Sequence, residues 1–555
     1  MLRSTRNTNS GIDHSSCNIE EQHTMHHLIF RSCLLFLLVI YRCPLLWAND
    51  TVQHPNIILV MADDLGWSDI GCYGGEIDTP HVDSLARDGM RFTQFYNNAI
   101  CGPTRASLLT GLYCQQTGHR GDRWNEPKNF DVCMTFGEVL QQAGYRTMMV
   151  GKWQGRDSAL DRGFDRFYGP MCQAKISYYH EVVQNPFFLD RQRIELPQNF
   201  YLTDAFNEYA VQFLKESLTS QQPFLLYVAH IAPHWPLHSR EQETARYRQR
   251  YLDEGWDQIR AERFQKQRQT GLIPEEWALA PRAASIQSWK QEQHQRWQAE
   301  RMAVYAAQVK SIDRGLGQLL QTLKAANAEE NTLVIFLSDN GAAPDGGLNP
   351  NKSGFGFSKN TPNPGWRRDG VLIKPGSGPD HLPGPSDTFA AYGLAWATTS
   401  NTPFRGTKLE GYEGGIRTPL VVRWPSVIQQ GGAITRQPGH VIDFMPTFLD
   451  IAQAEYPSEF KGRHPLPVEG VSLLPVFRGK QRSAPARLCW DLPRHQAIRE
   501  GNWKAIRLRQ KPDHWQLYDL ERDGTETTDV ADQHPELVKG MAHRFDVWYD
   551  RVNQN

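Results

Sequence analysis

Asn56-Ile-Ile-Leu-Val-Met-Ala-Asp-Asp64 is an apolar run closed by two carboxylates, and its reading decides the fold. A strand that is apolar on both faces belongs in the middle of a largely parallel sheet, because a sheet with one wet face alternates polar and apolar residues. Three more stretches follow the same plan. Tyr145-Arg-Thr-Met-Met-Val150 leads into Gly151-Lys-Trp153, Phe224-Leu-Leu-Tyr-Val228 into Ala229-His-Ile-Ala-Pro-His234, and Leu333-Val-Ile-Phe-Leu337 into Ser338-Asp-Asn-Gly341. Between the last two, Met302, Tyr305, Val309, Ile312, Leu316, Leu319 and Leu323 recur at three- and four-residue spacing, which predicts a long amphipathic helix. Strand and helix alternation predicts an α/β fold with a large, mostly parallel central sheet flanked by helices. Strand C-termini in such sheets open onto a common crevice, so the polar residues after these four strands are expected to meet there.

Outward from this core, residues 240–300 are rich in Arg, Glu, Gln and Trp and read as helices and loops with a solvated face. Residues 341–411 are rich in Gly and Pro, which suits long loops around a site. Beyond about Arg478 four short alternating runs, 487–491, 496–499, 503–507 and 515–519, predict a small antiparallel sheet. The expected division is an N-terminal extension with a signal peptide over 1–48, a catalytic domain over 50–478 and an α+β subdomain over 479–555. Arg31, the apolar stretch from Cys33 to Ile40 and Ala48 read as an export signal with a small residue at the cleavage point. The apolar core is short and Arg42 interrupts it, so cleavage and an exported protein are expected rather than a stable membrane span. Lys and Arg total 60 against 61 Asp and Glu, so no overall field gathers nucleic acid. Six cysteines follow Asn49, too widely spaced for a disulfide framework and with no CxxC for zinc.

Asp63, Asp64, Asp339 and Asn340 offer three carboxylates and an amide oxygen, a hard-oxygen set suited to Ca²⁺ or Mg²⁺; paired acids after a strand also serve as helix caps. In Cys101-Gly-Pro-Thr-Arg-Ala-Ser-Leu-Leu-Thr-Gly111, Pro103 reads as a first helical residue and Gly111 as the stop. That places Cys101 just before a helix N-terminus, which favours anions, with Arg105 one turn on. Lys152, His234 and Lys408 add cations of the kind that stabilise charge moving onto the leaving oxygen of an anionic ester.

Cys101-Gly-Pro-Thr-Arg105 with Thr110-Gly111 resembles the signature of the formylglycine-dependent (type I) sulfatases, arylsulfatase-like members of the alkaline phosphatase-like superfamily. The likeness continues through Gly163–Gly169, Glu413–Pro419, Asp443–Asp450 and Leu517–Leu520, so it spans most of residues 54 to 530. It implies that a separate maturation enzyme oxidises Cys101 to formylglycine, whose hydrate is the nucleophile. It implies a divalent ion, usually calcium, held by Asp63, Asp64, Cys101, Asp339 and Asn340, and assigns sulfate binding and leaving-group roles to Arg105, Lys152, His234 and Lys408, with Gln154 also on the substrate-binding side. One position departs from the family pattern: after Gly151-Lys-Trp153 the usual His is Gln154, which binds a hydroxyl but accepts no proton at neutral pH. His119 or His230 is then a candidate substitute base. Trp235, Trp366 and Trp396 are candidates for stacking on sugar faces, and Trp256–Gly271 resembles a segment of bacterial arylsulfatase-like proteins. The expected activity is hydrolysis of a sulfated carbohydrate, with an aryl sulfate ester as surrogate. A phosphoesterase of the same superfamily and a catalytically silent sulfated-glycan binder are the two alternatives.

Overall fold

In the computed structural model, the described residues are 54–554 apart from 119–129, 156, 171–176, 181–185, 346–366, 372, 375–377 and 484–486. The expected export signal, His119, Cys172 and Trp366 lie outside them. In chain order the strands up to residue 440 are β1 (Asn56–Ala62), β2 (Met90–Phe92), β3 (Phe95–Tyr96), β4 (Arg146–Gly151), β5 (Arg166–Pro170), β6 (Phe187–Leu189), β7 (Gln192–Ile194), β8 (Phe224–Ala229), β9 (Thr332–Ser338), β10 (Leu420–Arg423), β11 (Ala433–Thr435) and β12 (Gly439–His440). Ten of them form one sheet in the order β11-β2-β10-β9-β1-β8-β4-β5-β6-β7, and β3 pairs with β12.

The five central strands, β9-β1-β8-β4-β5, are parallel, as the doubly apolar runs predict. Register sets the site: Ala62 lies opposite Ser338, Met61 opposite Ala229, and Gly151 opposite Ala229. The residues after β1, β4, β8 and β9 therefore leave the sheet at one level. Alternate strand residues face two separate cores. Ile58, Val60, Leu226 and Phe336 pack under the helices Leu202–Ser217, Glu241–Gln269 and Gln295–Ala325, whereas Ile57, Leu59, Leu225 and Ile335 pack under Cys101–Thr110, Phe136–Gln142 and Phe444–Ala452.

The Glu241–Gln269 helix corrects the solvated reading of 240–300. Tyr247, Tyr251, Trp256, Ile259, Arg260, Arg263 and Gln267 are buried along one face, so a polar composition conceals an inward stripe. Trp396 belongs to the same core: it packs edge-on against Trp256 at 5.7 Å and its indole donates to the Gln298 carbonyl at 2.8 Å. It is fully buried and no sugar reaches it.

Four strands, β13 (Leu488–Asp491), β14 (His495–Glu500), β15 (Trp503–Leu508) and β16 (Trp515–Asp519), form the expected antiparallel sheet in sequential order. The Pro535–Val552 helix covers it through Met541, Phe545, Trp548 and Val552. Trp490 on β13 donates to the Asn97 carbonyl at 2.7 Å, four residues before Cys101, and ties this sheet to the approach to the site.

Candidate active site

Asp63 and Asp64 follow β1 directly and are fully enclosed. The Asp63 Oδ2 accepts from Lys152 Nζ at 2.5 Å, with Arg105 Nη2 at 3.6 Å. Asp64 takes a left-handed backbone (φ 68°), a conformation that costs energy for a residue with a side chain and persists only where its surroundings hold it. Here the Asp64 N–H donates to Asp339 Oδ1 at 3.2 Å, while its Oδ1 accepts from Lys408 Nζ at 2.6 Å and Asn340 Nδ2 at 2.7 Å. Asp339 Oδ2 in turn accepts from Arg105 Nε at 2.9 Å. Three carboxylates from β1 and β9 are thus matched by three cations from β4, the Cys101–Thr110 helix and the 404–411 loop.

His234, five residues past β8, lies with Nε2 3.5 Å from Asp64 Oδ2. Its Nδ1 is 2.6 Å from the Trp235 carbonyl, an acceptor only, so Nδ1 carries the proton of the neutral ring. Burial first, and then the Lys408 charge against the pull of Asp64, lowers the His234 pKa. Its Nε2 lone pair consequently faces a carboxylate oxygen, an arrangement that a shared cation relieves. Burial raises carboxyl pKa values, yet the Lys152 and Arg105 charges overcome it at Asp63 and hold that group far below the ordinary range. Burial, reinforced by the Asp63 carboxylate, pushes Asp339 up to about 7. Burial works against the charge on Lys152 and Lys408, but their partners Asp63 and Asp64 keep both ammonium groups charged.

Cys101 stands somewhat differently from the sequence expectation: it is the first residue of the Cys101–Thr110 helix, with Ile100 as an N-cap that offers no side-chain bond. Gly111 ends the helix in the left-handed conformation, as predicted. Uncapped N–H groups at this end leave an anion-seeking pole pointing at the site. The Cys101 Sγ and oxygens of Asp63 and Asp339 lie within 4.8 Å of one another, as do Asp63, Asp64 and the His234 nitrogen. Buried oxygens Asp63 Oδ1, Asp64 Oδ2 and Asn340 Oδ1 have no hydrogen-bond donor among the described residues. Such a set of unspent hard oxygens fits a divalent cation of the calcium or magnesium kind. All ten residues named from the sequence are brought to these strand ends and are buried, Gln154 included at 9% exposure.

The candidate base His230 fits poorly. Burial first and the Arg105 charge second hold its pKa at about 3, and Arg105 Nη2 donates to its carbonyl at 3.2 Å. Trp235 does not line an open rim either, being 6% exposed and stacked beside His234.

A supporting shell escaped the sequence reading. Asp69 Oδ2 accepts from the Gly66 N–H at 2.9 Å and from Tyr305 at 2.6 Å, and its other oxygen pairs with Arg263 at 2.7 Å. This brace fixes the loop that turns Asp64 inward; its one local signal is Asp69 three residues past Gly66. Gly341 is a second brace: a Cβ there would lie 1.8 Å from the Gly414 carbonyl oxygen. Gly341→Ala is expected to part Asn340 from the Lys408 loop and cut kcat/KM by roughly 100-fold, the scale of an ångström-sized misplacement. Steady-state kinetics on an aryl sulfate check this, and wild-type turnover would remove the brace.

A parallel α/β sheet whose strand ends gather an oxygen-rich cation pocket and an anion-seeking helix pole around one cysteine defines a hydrolase centre of the alkaline phosphatase-like type. The sulfatase family model matches residues 55–454, and a second model, the C-terminal part of N-sulphoglucosamine sulphohydrolase, matches 408–547. The chain belongs to the sulfatase family and is a sulfuric ester hydrolase. It is 33% identical to an uncharacterized sulfatase of Schizosaccharomyces pombe, over 88% of this chain and 92% of that one. It is 27% identical to the N-acetylglucosamine-6-O-sulfatase of Bacteroides thetaiotaomicron, over 87% and 83% respectively. Among solved structures, one determined in complex with k-i-k-neocarrahexaose superposes with a TM-score of 0.64 at 25% identity, covering 90% of this chain and 94% of that one. Among the described residues no helix is long and apolar enough to cross a membrane.

Proposed function

We propose that this chain is exported and removes sulfate from a sulfated carbohydrate, with Cys101 matured to formylglycine and a calcium or magnesium ion held by Asp63, Asp64, Asp339 and Asn340. The observation that carries the reading is Cys101 at an uncapped helix N-terminus, within 4.8 Å of Asp63 and Asp339 oxygens. Relatives support the sugar: an N-acetylglucosamine-6-O-sulfatase aligns with 87% of the chain, and a solved structure of similar fold was determined in complex with k-i-k-neocarrahexaose.

Charge balance supports the metal. Three carboxylates against Arg105, Lys152 and Lys408 leave the pocket near neutral with His234 uncharged, so a divalent cation would bring the positive charge that an anionic ester offsets. When bound, the ion would draw charge from the sulfo oxygens, and formylglycine would supply the attacking hydroxyl. Arg105 and Lys152 would orient the sulfo group, their carboxylate partners Asp339 and Asp63 being the ones that would hold the ion. Asp339 accepts a hydrogen bond from the attacking hydroxyl. Lys408, kept protonated by Asp64, gives a proton to the departing sugar oxygen, with His234 the other donor in reach.

Peptide mass of residue 101 in protein from its native host, followed by sulfate release from a panel of sulfated sugars, tests this reading. An unmodified thiol with no sulfate released would overturn it in favour of a silent glycan binder. Gln154 favours that alternative, because the family's proton acceptor is lacking there. Gln154→His is expected to speed release of enzyme-bound sulfate in a single turnover by about 100-fold, the low end of general-base catalysis. An unchanged release rate would show that another group already takes that proton.

A further inference from the structure

We propose that a cavity between the end of β2 and the C-terminal sheet is an accessory site for a sulfo group, separate from the catalytic crevice. The cavity holds about 200 Å³, and its wall includes Arg417, Arg436, Arg499, Gln94, Trp277 and Asn502. Among the described residues Glu521 is the one carboxylate in that wall.

Arg499 is the unusual member. It is 4% exposed, yet no carboxylate among the described residues pairs with it. Its bonds go to neutral oxygens: the Gly501 carbonyl at 3.0 Å, the Tyr96 hydroxyl, and Gln94 Oε1 at 2.5 Å. Its nearest counter-charge, Glu413, is reached only through the Tyr96 hydroxyl, which donates to that carboxylate at 2.8 Å, so an anion in the cavity would meet the buried guanidinium more directly. Arg417 lies against Thr93 through Nε and pairs with Glu413 at 3.2 Å. Arg436 is exposed and donates to the Gly271 carbonyl at 3.1 Å. Each guanidinium has five N–H groups, so these bonds leave two on Arg499, three on Arg417 and four on Arg436 for a ligand. Three positive groups face Glu521 in the wall, and Glu413 behind it is shared among Lys504, Arg417 and Arg499, so the wall keeps surplus positive charge. A tetrahedral oxyanion matches such forked donors better than a carboxylate does, because it accepts from three directions at once.

Position links the cavity to catalysis. Phe92 lies opposite Leu420, and Leu420 opposite Leu337, so Thr93 in the cavity wall leaves the sheet at the level of Ser338 and Asp339. Both sites therefore lie at one end of the sheet, where β2 stands two strand spacings, roughly 10 Å, from β9. Two sources can supply the anion: a second sulfo group on the same carbohydrate chain, or free sulfate released by the reaction. The inference rests on the sulfatase reading for which anion the site meets, and on the cavity alone for its binding an oxyanion.

Crystals of the full chain soaked in selenate, an anomalous stand-in for sulfate, test the cavity itself. A selenium peak among Arg417, Arg436 and Arg499 that disappears in Arg436→Gln is the expected result. Selenate found only in the catalytic crevice would overturn the proposal. Arg436 is exposed, so this variant folds where Arg499→Gln risks its packing. Kinetics separate the sources. A KM for a disulfated disaccharide that rises about tenfold more in Arg436→Gln than the KM for a monosulfated one identifies the carbohydrate chain. Relief of inhibition by added sulfate, with that ratio unmoved, identifies free sulfate. If no ester is hydrolysed at all, the sulfatase reading fails while the selenium peak still decides the cavity.

Discussion

Cys101→Ala is expected to lower kcat/KM for any sulfate ester by on the order of 10⁶, the loss found when a nucleophile that acts as part of a unit is removed. Arg105, Lys152, Lys408 and the oxygen cluster would remain, and these are the groups proposed to bind the ester, so KM should move little. The Cys101 thiol makes no hydrogen bond among the described residues, and it starts a helix that Pro103, Leu108 and Leu109 anchor in the core. Its truncation removes one buried sulfur, about 1 kcal/mol of packing, so the thermal midpoint should stay within a few degrees. Calcium binding, followed by calorimetry, should survive too, because Asp63, Asp64, Asp339 and Asn340 are untouched. Retained ester turnover in Cys101→Ala would move the attacking group elsewhere. Intact binding with lost turnover separates nucleophile from scaffold.

Legibility followed sequence distance. Each strand end could be read because an apolar run and its polar terminus are contiguous, as in Ile57–Ala62 followed by Asp63 and Asp64. The parallel sheet then forced these ends together, so Asp63, Lys152, His234 and Asp339 converged without any contact being known beforehand. Short strands toward either side of the sheet were harder. The pairs β2 with β10 and β6 with β7 are three or four residues long and carry no periodicity that marks them. Burial of charge was hidden altogether. Arg263 sits in a helix whose composition reads as solvated, and its partners Asp69 and Glu76 lie nearly two hundred residues earlier. Trp396 looked like a loop aromatic because Gly and Pro surround its segment, but its helix turns it into a cluster with Trp256 and Trp289. Composition reports how many groups are polar; pairing over long separations decides which of them go inside.

Lys504→Met should be the most damaging substitution for stability, and its effect should grow with pH. Lys504 on β15 is fully buried between Glu413 at 2.8 Å and Glu526 at 2.7 Å. The Glu413 N–H also donates to Glu526 Oε2 at 2.6 Å, and Glu413 accepts from Tyr96 at 2.8 Å. Methionine fills the same space without a charge, leaving two enclosed carboxylates short of a cation; breaking a buried pair in this way costs about 3–5 kcal/mol. Glu413 heads the turn whose Gly415 carbonyl accepts from the Gly341 N–H at 3.1 Å, so the loosened turn also disturbs Asn340 and the Lys408 loop. The sign of the pH effect follows from the two acids. Burial works to raise Glu413, but Lys504 and Arg417 hold it at about 2, whereas burial leaves Glu526 at about 7 despite Lys504. Without Lys504 both folded-state pKa values rise. A carboxyl raised above its unfolded value favours the fold only while protonated, and that contribution disappears as pH climbs through the folded pKa. The deficit of Lys504→Met should therefore be larger at pH 8 than at pH 5, read from denaturant unfolding of both proteins at each pH. An equal deficit at the two values would mean that lost packing, not the uncompensated carboxylates, carries the effect.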